Sequence, residues 1–328
     1  MYREIIHKFK RGFEFFVHHL LLLCLPYSIG VRIINSCAHS SLFHRTIFQW
    51  KLKSFQRFLV LNSLVDGDIS FRRFLIANGL FPQIYRWRIH AAQRAKWEVI
   101  QAGIEFKGLD RLAEADRRGR GVVLVCAHFG VTSLIPGFYA RLGRPVLVLA
   151  HTDFAARMRV KLSENLTVVS MANSFLPQVL FKAQSTLKEG GSVLLLPDGR
   201  LGSSASMCHF FDRSLPFREG FATLAINTGA TVLPTRATVD ENGFMRIEFH
   251  QELALGCETS PKSVRVKYAL DQYVRWVEEC WLTDPGNILE KQLNHFWESP
   301  RVQWERKCNA RACSTSAMAI KRDIPRSN

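Results

Sequence analysis

The chain has 328 residues, 47% of them apolar, enough for a full core and too many for a disordered chain. The formal net charge of +16 and a sequence pI of about 9.8 favour anionic partners: nucleic acid, anionic lipid or an acidic carrier protein. Eight cysteines without a CxxC pair give no sign of a disulfide scaffold or a zinc site, so no metal is expected and a reducing, cytosol-facing setting is the simpler reading.

The N-terminus places Arg3, Lys8, Lys10 and Arg11 before an apolar run over residues 13–26, interrupted by His18 and His19 and ended by Pro26. It is short for a spanning helix, which needs about 20 apolar residues. An interfacial or single-pass anchor with its basic flank on the cytosolic side fits the pattern. A signal peptide and an ordinary core helix are the other readings. Residues 31–98 hold eleven Lys/Arg against three acids, a net +8 and half of the total charge. This is read either as solvated helix faces or as a face turned to an anionic membrane. Apolar residues recur at helical spacing over residues 48–61, Asn78-Gly79 ends a segment, and Pro82 opens the next.

The pattern changes after residue 100. Short apolar runs at 121–127, 145–150, 166–169, 192–196 and 231–233 read as strands buried on both faces. Helical patterns at about 131–142, 153–164, 174–188 and 217–228 separate most of them, and Gly143, Gly190-Gly191 and Gly229 stand where helices stop. Such alternation predicts an α/β fold with a mixed, mostly parallel sheet covered by helices. An amphipathic helix over about 262–281 is broken by Asp284-Pro285-Gly286, and a shorter one follows over about 287–297. The organisation expected is an anchor (1–35), a basic helical region (36–100), an α/β domain (101–300) and a polar tail (301–328).

Four blocks carry candidate chemistry. Ala127-His128-Phe129-Gly130 follows a buried strand, where catalytic loops gather in α/β folds. A lone histidine there is as readily structural. Leu196-Pro197-Asp198-Gly199-Arg200 follows another strand; it is either a turn with a local ion pair or an anion site, since Arg forks onto phosphate. The third block, residues 210–220, holds the Phe210-Phe211 pair, plain core or the wall of an acyl groove, and Arg218. The fourth, residues 230–236, is the next strand.

Taken in order, these blocks resemble the lysophospholipid acyltransferase superfamily, which carries a His-x4-acid motif after a strand, then a Pro-acid-Gly loop. The chain is most similar to the lipid A late (lauroyl and myristoyl) acyltransferases. The cues are Phe106-Lys107-Gly108-Leu109 before Asp110, Gly119-Arg120-Gly121 before the His strand, His128-Phe129-Gly130, the Phe pair and the N-terminal anchor. The resemblance implies a glycerol-3-phosphate acyltransferase-like fold behind an N-terminal helical membrane-associated region. It also implies acyl transfer from an acyl carrier protein or coenzyme A thioester to a hydroxyl of a membrane lipid, a lipid A precursor or lysophospholipid. No cofactor beyond that co-substrate is implied. His128 would be the general base, with Ser133 at the motif-acid position, Asp198 a further catalytic candidate in its own loop, and Phe129, Gly130, Arg200, Phe210, Phe211 and Arg218 around the substrates, at the cytosolic side of the inner membrane.

Two departures stand out. The position five after His128 holds Ser133 where the family has an acid, and no acid occurs between His128 and Asp153. The family's Pro-Asp-Gln-Asp is here Pro197-Asp198-Gly199-Arg200. Ser133 can take the imidazole hydrogen bond but carries no charge to stabilise an imidazolium. Either Ser133 serves at reduced rate, or Asp198 or Asp153 reaches the histidine from another loop. A catalytically impaired member that binds a lipid or partner is the alternative function. No RNA-recognition or helix-turn-helix signature supports a nucleic-acid binder, and no Gly-x-Ser-x-Gly elbow supports a serine hydrolase.

Deleting residues 1–30 is expected to move the protein from the membrane fraction to the soluble one on centrifugation. Full-length protein that is soluble without detergent would contradict the anchor reading.

Overall fold

The computed structural model describes residues 25–26, 28–30, 32–33, 36, 49–64, 68–78, 96–150, 163–170, 176–199 and 204–297. The apolar run before Pro26, Pro82, Asp153 with its expected helix, Arg200 and the polar tail lie outside them. Among the described residues, no helix is long and apolar enough to cross a membrane.

A seven-stranded sheet organises the chain. Its strands are β1 (Ile104–Lys107), β2 (Val122–Val125), β3 (Val146–Ala150), β4 (Leu166–Ser170), β5 (Ser192–Leu195), β8 (Thr231–Val239) and β9 (Met245–Phe249), in the order β1-β9-β8-β2-β5-β3-β4. Five of them, β8-β2-β5-β3-β4, are parallel; β9 runs antiparallel to β8, and β1 lies parallel to β9 at the edge. Strand β2 is buried along its whole length because both of its faces are covered. Alternate residues feed opposite layers. Val123 and Val125 point to the layer of α6 (Leu176–Lys188), α7 (Gly220–Thr228) and α8 (Lys262–Thr283). Val122 and Leu124 point to the layer of α4 (Leu109–Arg117) and α5 (Ile135–Arg141). A sheet between two helical layers is the α/β arrangement expected.

Three elements differ from expectation. Residues 217–228 are not one helix: a two-stranded ribbon of β6 (Ala205–Phe210) and β7 (Arg213–Arg218) precedes α7. The apolar run at 231–233 is only the start of the nine-residue β8, and two further strands, β9 and then β1 at the edge, extend the sheet beyond it. The predicted helix at 131–142 begins as a 3-10 turn, Thr132–Leu134, before α5.

The basic region supplies α1 (Gln49–Leu61) and α2 (Asp68–Ala77), with α3 (Trp97–Gln101) leading into β1. Helix α1 packs on α9 (Glu290–Trp297). Phe55 and Phe58 of α1 are fully buried, Phe55 stacking on Phe74 at 4.4 Å between ring centroids and Phe58 meeting Trp281 edge-on at 5.4 Å. Asn78, at the end of α2, ties the two regions together. Its Nδ2 donates to Phe74 O (2.8 Å) and Ile288 O (3.0 Å), and its Oδ1 accepts the Glu290 N–H (2.6 Å). It thus caps one helix at its end and another at its start.

Asn78→Ala removes all three bonds and leaves the Glu290 N–H without this acceptor. It is expected to lower unfolding free energy by about 1–3 kcal/mol, read as a lower denaturation midpoint at unchanged m. An unchanged midpoint would show that the cap contributes nothing.

Candidate active site

The site starts from strand register. In parallel neighbours β2 and β5, Val125 lies opposite Leu195, and the Cys126 N–H donates to Leu195 O at 2.9 Å. His128 stands three residues beyond Val125 and Asp198 three beyond Leu195. Equal overhangs on paired strands bring two residues 70 positions apart into contact. The Asp198 Oδ1 lies 2.9 Å from His128 Nδ1, and Asp198 Oδ2 accepts the His128 backbone N–H at 2.7 Å. One carboxylate therefore fixes both the backbone and the ring of the histidine.

A carboxylate can only accept, so this contact places the proton on Nδ1 and leaves Nε2 with a lone pair. The His128 side chain is 35% exposed and that of Asp198 10%. The ring has an edge open to a reactant while its partner is covered. Burial pulls the imidazole pKa down, but the charge of Asp198 and its hydrogen bond outweigh it. The net shift is upward, with Lys291 opposing.

The floor beneath the pair is rigid. Tyr273, fully buried on α8, donates its hydroxyl to Cys126 O at 2.9 Å, and that hydroxyl also interacts with the Asp198 backbone. Gly199 lets the turn lie against the ring: a Cβ there would stand 3.1 Å from Leu196 O and 3.5 Å from His128 Cε1. Gly130 is more constrained. Its φ is +54°, and a Cβ would fall 2.1 Å from Ala237 O. The backbone is that close because Gly130 bridges Ala237 of β8, and Phe129 bridges Ile288.

Asn287 is the strut behind this loop. Its carbonyl accepts the Gly130 N–H. Its side chain accepts from Val239 N at 2.9 Å and donates to Val239 O at 2.9 Å and to Asp284 Oδ2 at 2.9 Å, with no exposed surface. Asp284 in turn meets Arg73 at 3.5 Å, which bonds Glu241 at 2.9 Å. A chain of polar contacts thus runs from α2 to the loop that carries His128.

Compared with protein families, residues 80–266 match the bacterial lipid A biosynthesis acyltransferases, more than half of the 328 residues. The chain belongs to this family. A search of curated proteins finds no match. The family's reaction is acyl transfer to a lipid, so an acyl donor and a lipid acceptor are implied in general terms.

Within this acyltransferase the expected site residues are distributed unevenly. His128 and Asp198 come together. Ser133 lies half-buried in the 3-10 turn, and no hydrogen bond joins it to His128 among the described residues; the ring nitrogen that the motif acid would hold is held by Asp198. Arg218 stands at the Asp198 turn: its N–H donates to Pro197 O (2.8 Å) and its Nε to Gly199 O (3.3 Å), and burial lowers its pKa. Phe129 is 1% exposed, and Phe210 is 2% exposed among Phe217, Trp281 and Phe296, so both side chains are core. Phe211 is half-buried, packs on the same rings, and sits at the ribbon tip with φ +51°, its N–H accepted by Glu278. A non-Gly residue at positive φ is costly, and the ring packing with that hydrogen bond holds it there.

A cavity of about 320 Å³ around the start of α8 is lined by Ala254, Cys257, Val264, Arg265 and Tyr268; neither His128 nor Asp198 lines it, so it is not the site. The sequence reading missed Asn287, Tyr273 and Lys291. Asn287 was hidden behind a Pro-Gly breaker, and Tyr273 was one apolar position of a long amphipathic helix.

Asn287→Ala strands the Val239 N–H and C=O in the core. It is expected to cost about 2–4 kcal/mol of stability and to raise amide exchange at Gly130 and Val239 ahead of the rest of the sheet. Exchange at those two amides equal to wild type would remove Asn287 from this role.

Proposed function

We propose that the protein transfers a fatty acyl group from an acyl carrier protein or coenzyme A thioester to a hydroxyl of a membrane lipid, with His128 as general base. The observation that carries this reading is the Asp198 carboxylate on His128 Nδ1. Nε2 takes the proton of the lipid hydroxyl as its oxygen attacks the thioester carbonyl. The tetrahedral intermediate collapses, the C–S bond breaks, and the imidazolium returns its proton to the leaving thiolate. Asp198 holds the tautomer needed at the start and offsets the positive charge on the ring in between.

Family membership supports the acyl donor and lipid acceptor as classes. The +16 charge suits an anionic carrier and an anionic membrane surface. The finer assignments form one reading: lipid A precursor or lysophospholipid as acceptor, and the cytosolic face of the inner membrane as location. A glycerol-3-phosphate acyltransferase-like fold and substrate contacts through Arg200 and Arg218 belong to the same reading. The alternative of a binding protein without turnover was motivated by Ser133. Asp198 on the imidazole weakens that motive, because a carboxylate from the loop after β5 stands at the ring nitrogen.

The sign of the pH dependence follows from the raised imidazole pKa. Only the neutral ring is a base, so kcat/KM rises with pH through a midpoint above the ordinary imidazole value. Asp198→Asn removes the charge that holds the proton, so this midpoint falls. Thiol release from an acyl thioester is expected to vanish in His128→Ala and to drop about 10²–10⁴-fold in Asp198→Asn, by analogy with acid neutralisation in serine proteases. Full activity in His128→Ala would end the assignment.

A further inference from the structure

Helix α9 begins beside the catalytic loop and lies beyond the residues matched to the family. Ile288 bridges Phe129, next to His128, and Asn78 holds the helix entry through Ile288 O and the Glu290 N–H. Leu293 and Phe296 bury the inner face of α9, Ser54 donates to Asn294 at 2.9 Å, and Arg213 donates to Phe296 O at 3.0 Å. The helix is therefore fixed, and Lys291 in its first turn is exposed. The Lys291 ammonium lies within electrostatic range of the His128 imidazole. No ion pair engages Lys291 among the described residues.

This placement is unfavourable twice over. A helix start carries partial positive charge, and a cation in the first turn is disfavoured there. Glu290 offsets part of that. Lys291 also opposes the imidazolium that acyl transfer must form. The one carboxylate at the pair, Asp198, is already occupied by His128 through both oxygens. Arg218, the other cation at the turn, is tied to Gly199 O. An anion arriving with a substrate would relieve both conflicts.

We propose that Lys291 binds a phosphate group of a substrate and so holds that substrate over His128. The inference rests on His128 being the base of the acyl transfer. Two sources share this chemistry: the phosphates of the donor's pantetheine arm or nucleotide, and a phosphate on the acceptor lipid. Lysine suits either as a compact point charge.

The test is steady-state kinetics of Lys291→Ala, Lys291→Glu and Lys291→Arg in the full chain, beside His128→Ala. Lauroyl-coenzyme A and the phosphate-free lauroyl-pantetheine serve as donors, and a phosphorylated glycolipid and its dephosphorylated form as acceptors. Lys291→Ala should raise one KM by about ten- to a hundredfold, the weight of a charged hydrogen bond, with kcat little changed. Lys291→Glu should raise it further, and Lys291→Arg should recover most of it. If the donor carries the phosphate, the effect disappears with lauroyl-pantetheine; if the acceptor does, it disappears with the dephosphorylated lipid. Lys291→Ala should also move the acid limb of kcat/KM to higher pH, because a cation facing the ring is gone. Both KM values and the acid limb unchanged in Lys291→Ala and Lys291→Glu would overturn the proposal while leaving His128 in place. Transfer retained by His128→Ala would instead sink the base assignment, and the KM comparison would still decide Lys291.

Discussion

The site depends on one register. Because Val125 pairs with Leu195, residues three past each strand end are neighbours, and the carboxylate of Asp198 lands on both the ring and the backbone N–H of His128. A slip of one residue in either strand would turn its side chains to the opposite layer. The apolar runs of β2 and β5 forbid that slip, since each residue is matched to the layer it faces. Core packing and the His128–Asp198 contact therefore follow from the same register.

The loop that carries His128 is held from outside the parallel sheet. Tyr273 supports it from below, Asn287 closes it against β8, and Ile288 pairs with Phe129. These three residues come from α8 and the turn after it, and that turn is tied to α2 through Asp284 and Arg73. The polar supports are expensive to bury and are satisfied member by member, which favours a single loop geometry. The segment after residue 266, beyond the family match, thus supplies the rear wall of the candidate site.

Much of this was legible in the sequence. Fully apolar runs announced β2, β3 and β5, and the strand-loop blocks announced His128 and Asp198. The substitution at Ser133 was visible, but the contact of Asp198 with His128 was not, because strand neighbours are not written in chain order. Strands β1 and β9 escaped notice because they alternate polar and apolar residues instead of running fully apolar, as in Met245-Arg246-Ile247-Glu248-Phe249. The ribbon β6–β7 was obscured by Pro216 within a strand, tolerated where one side of the strand is unpaired. Phe129 and Phe210 stood as candidate substrate contacts, Phe210 equally as core, because aromatic type does not reveal which side of a core a ring faces. The described residues include neither Arg200 nor Asp153, which the sequence also brought forward.

The central claim is that Asp198, rather than the residue at 133, sets the state of His128. Nitrogen-15 NMR of histidine-labelled protein tests it most directly, with the His128 signals identified by their loss in His128→Ala. The account predicts a neutral ring protonated on Nδ1, which titrates above ordinary imidazole and loses both features in Asp198→Asn but neither in Ser133→Ala. A ring protonated on Nε2, or one that responds to Ser133→Ala and not to Asp198→Asn, would contradict it.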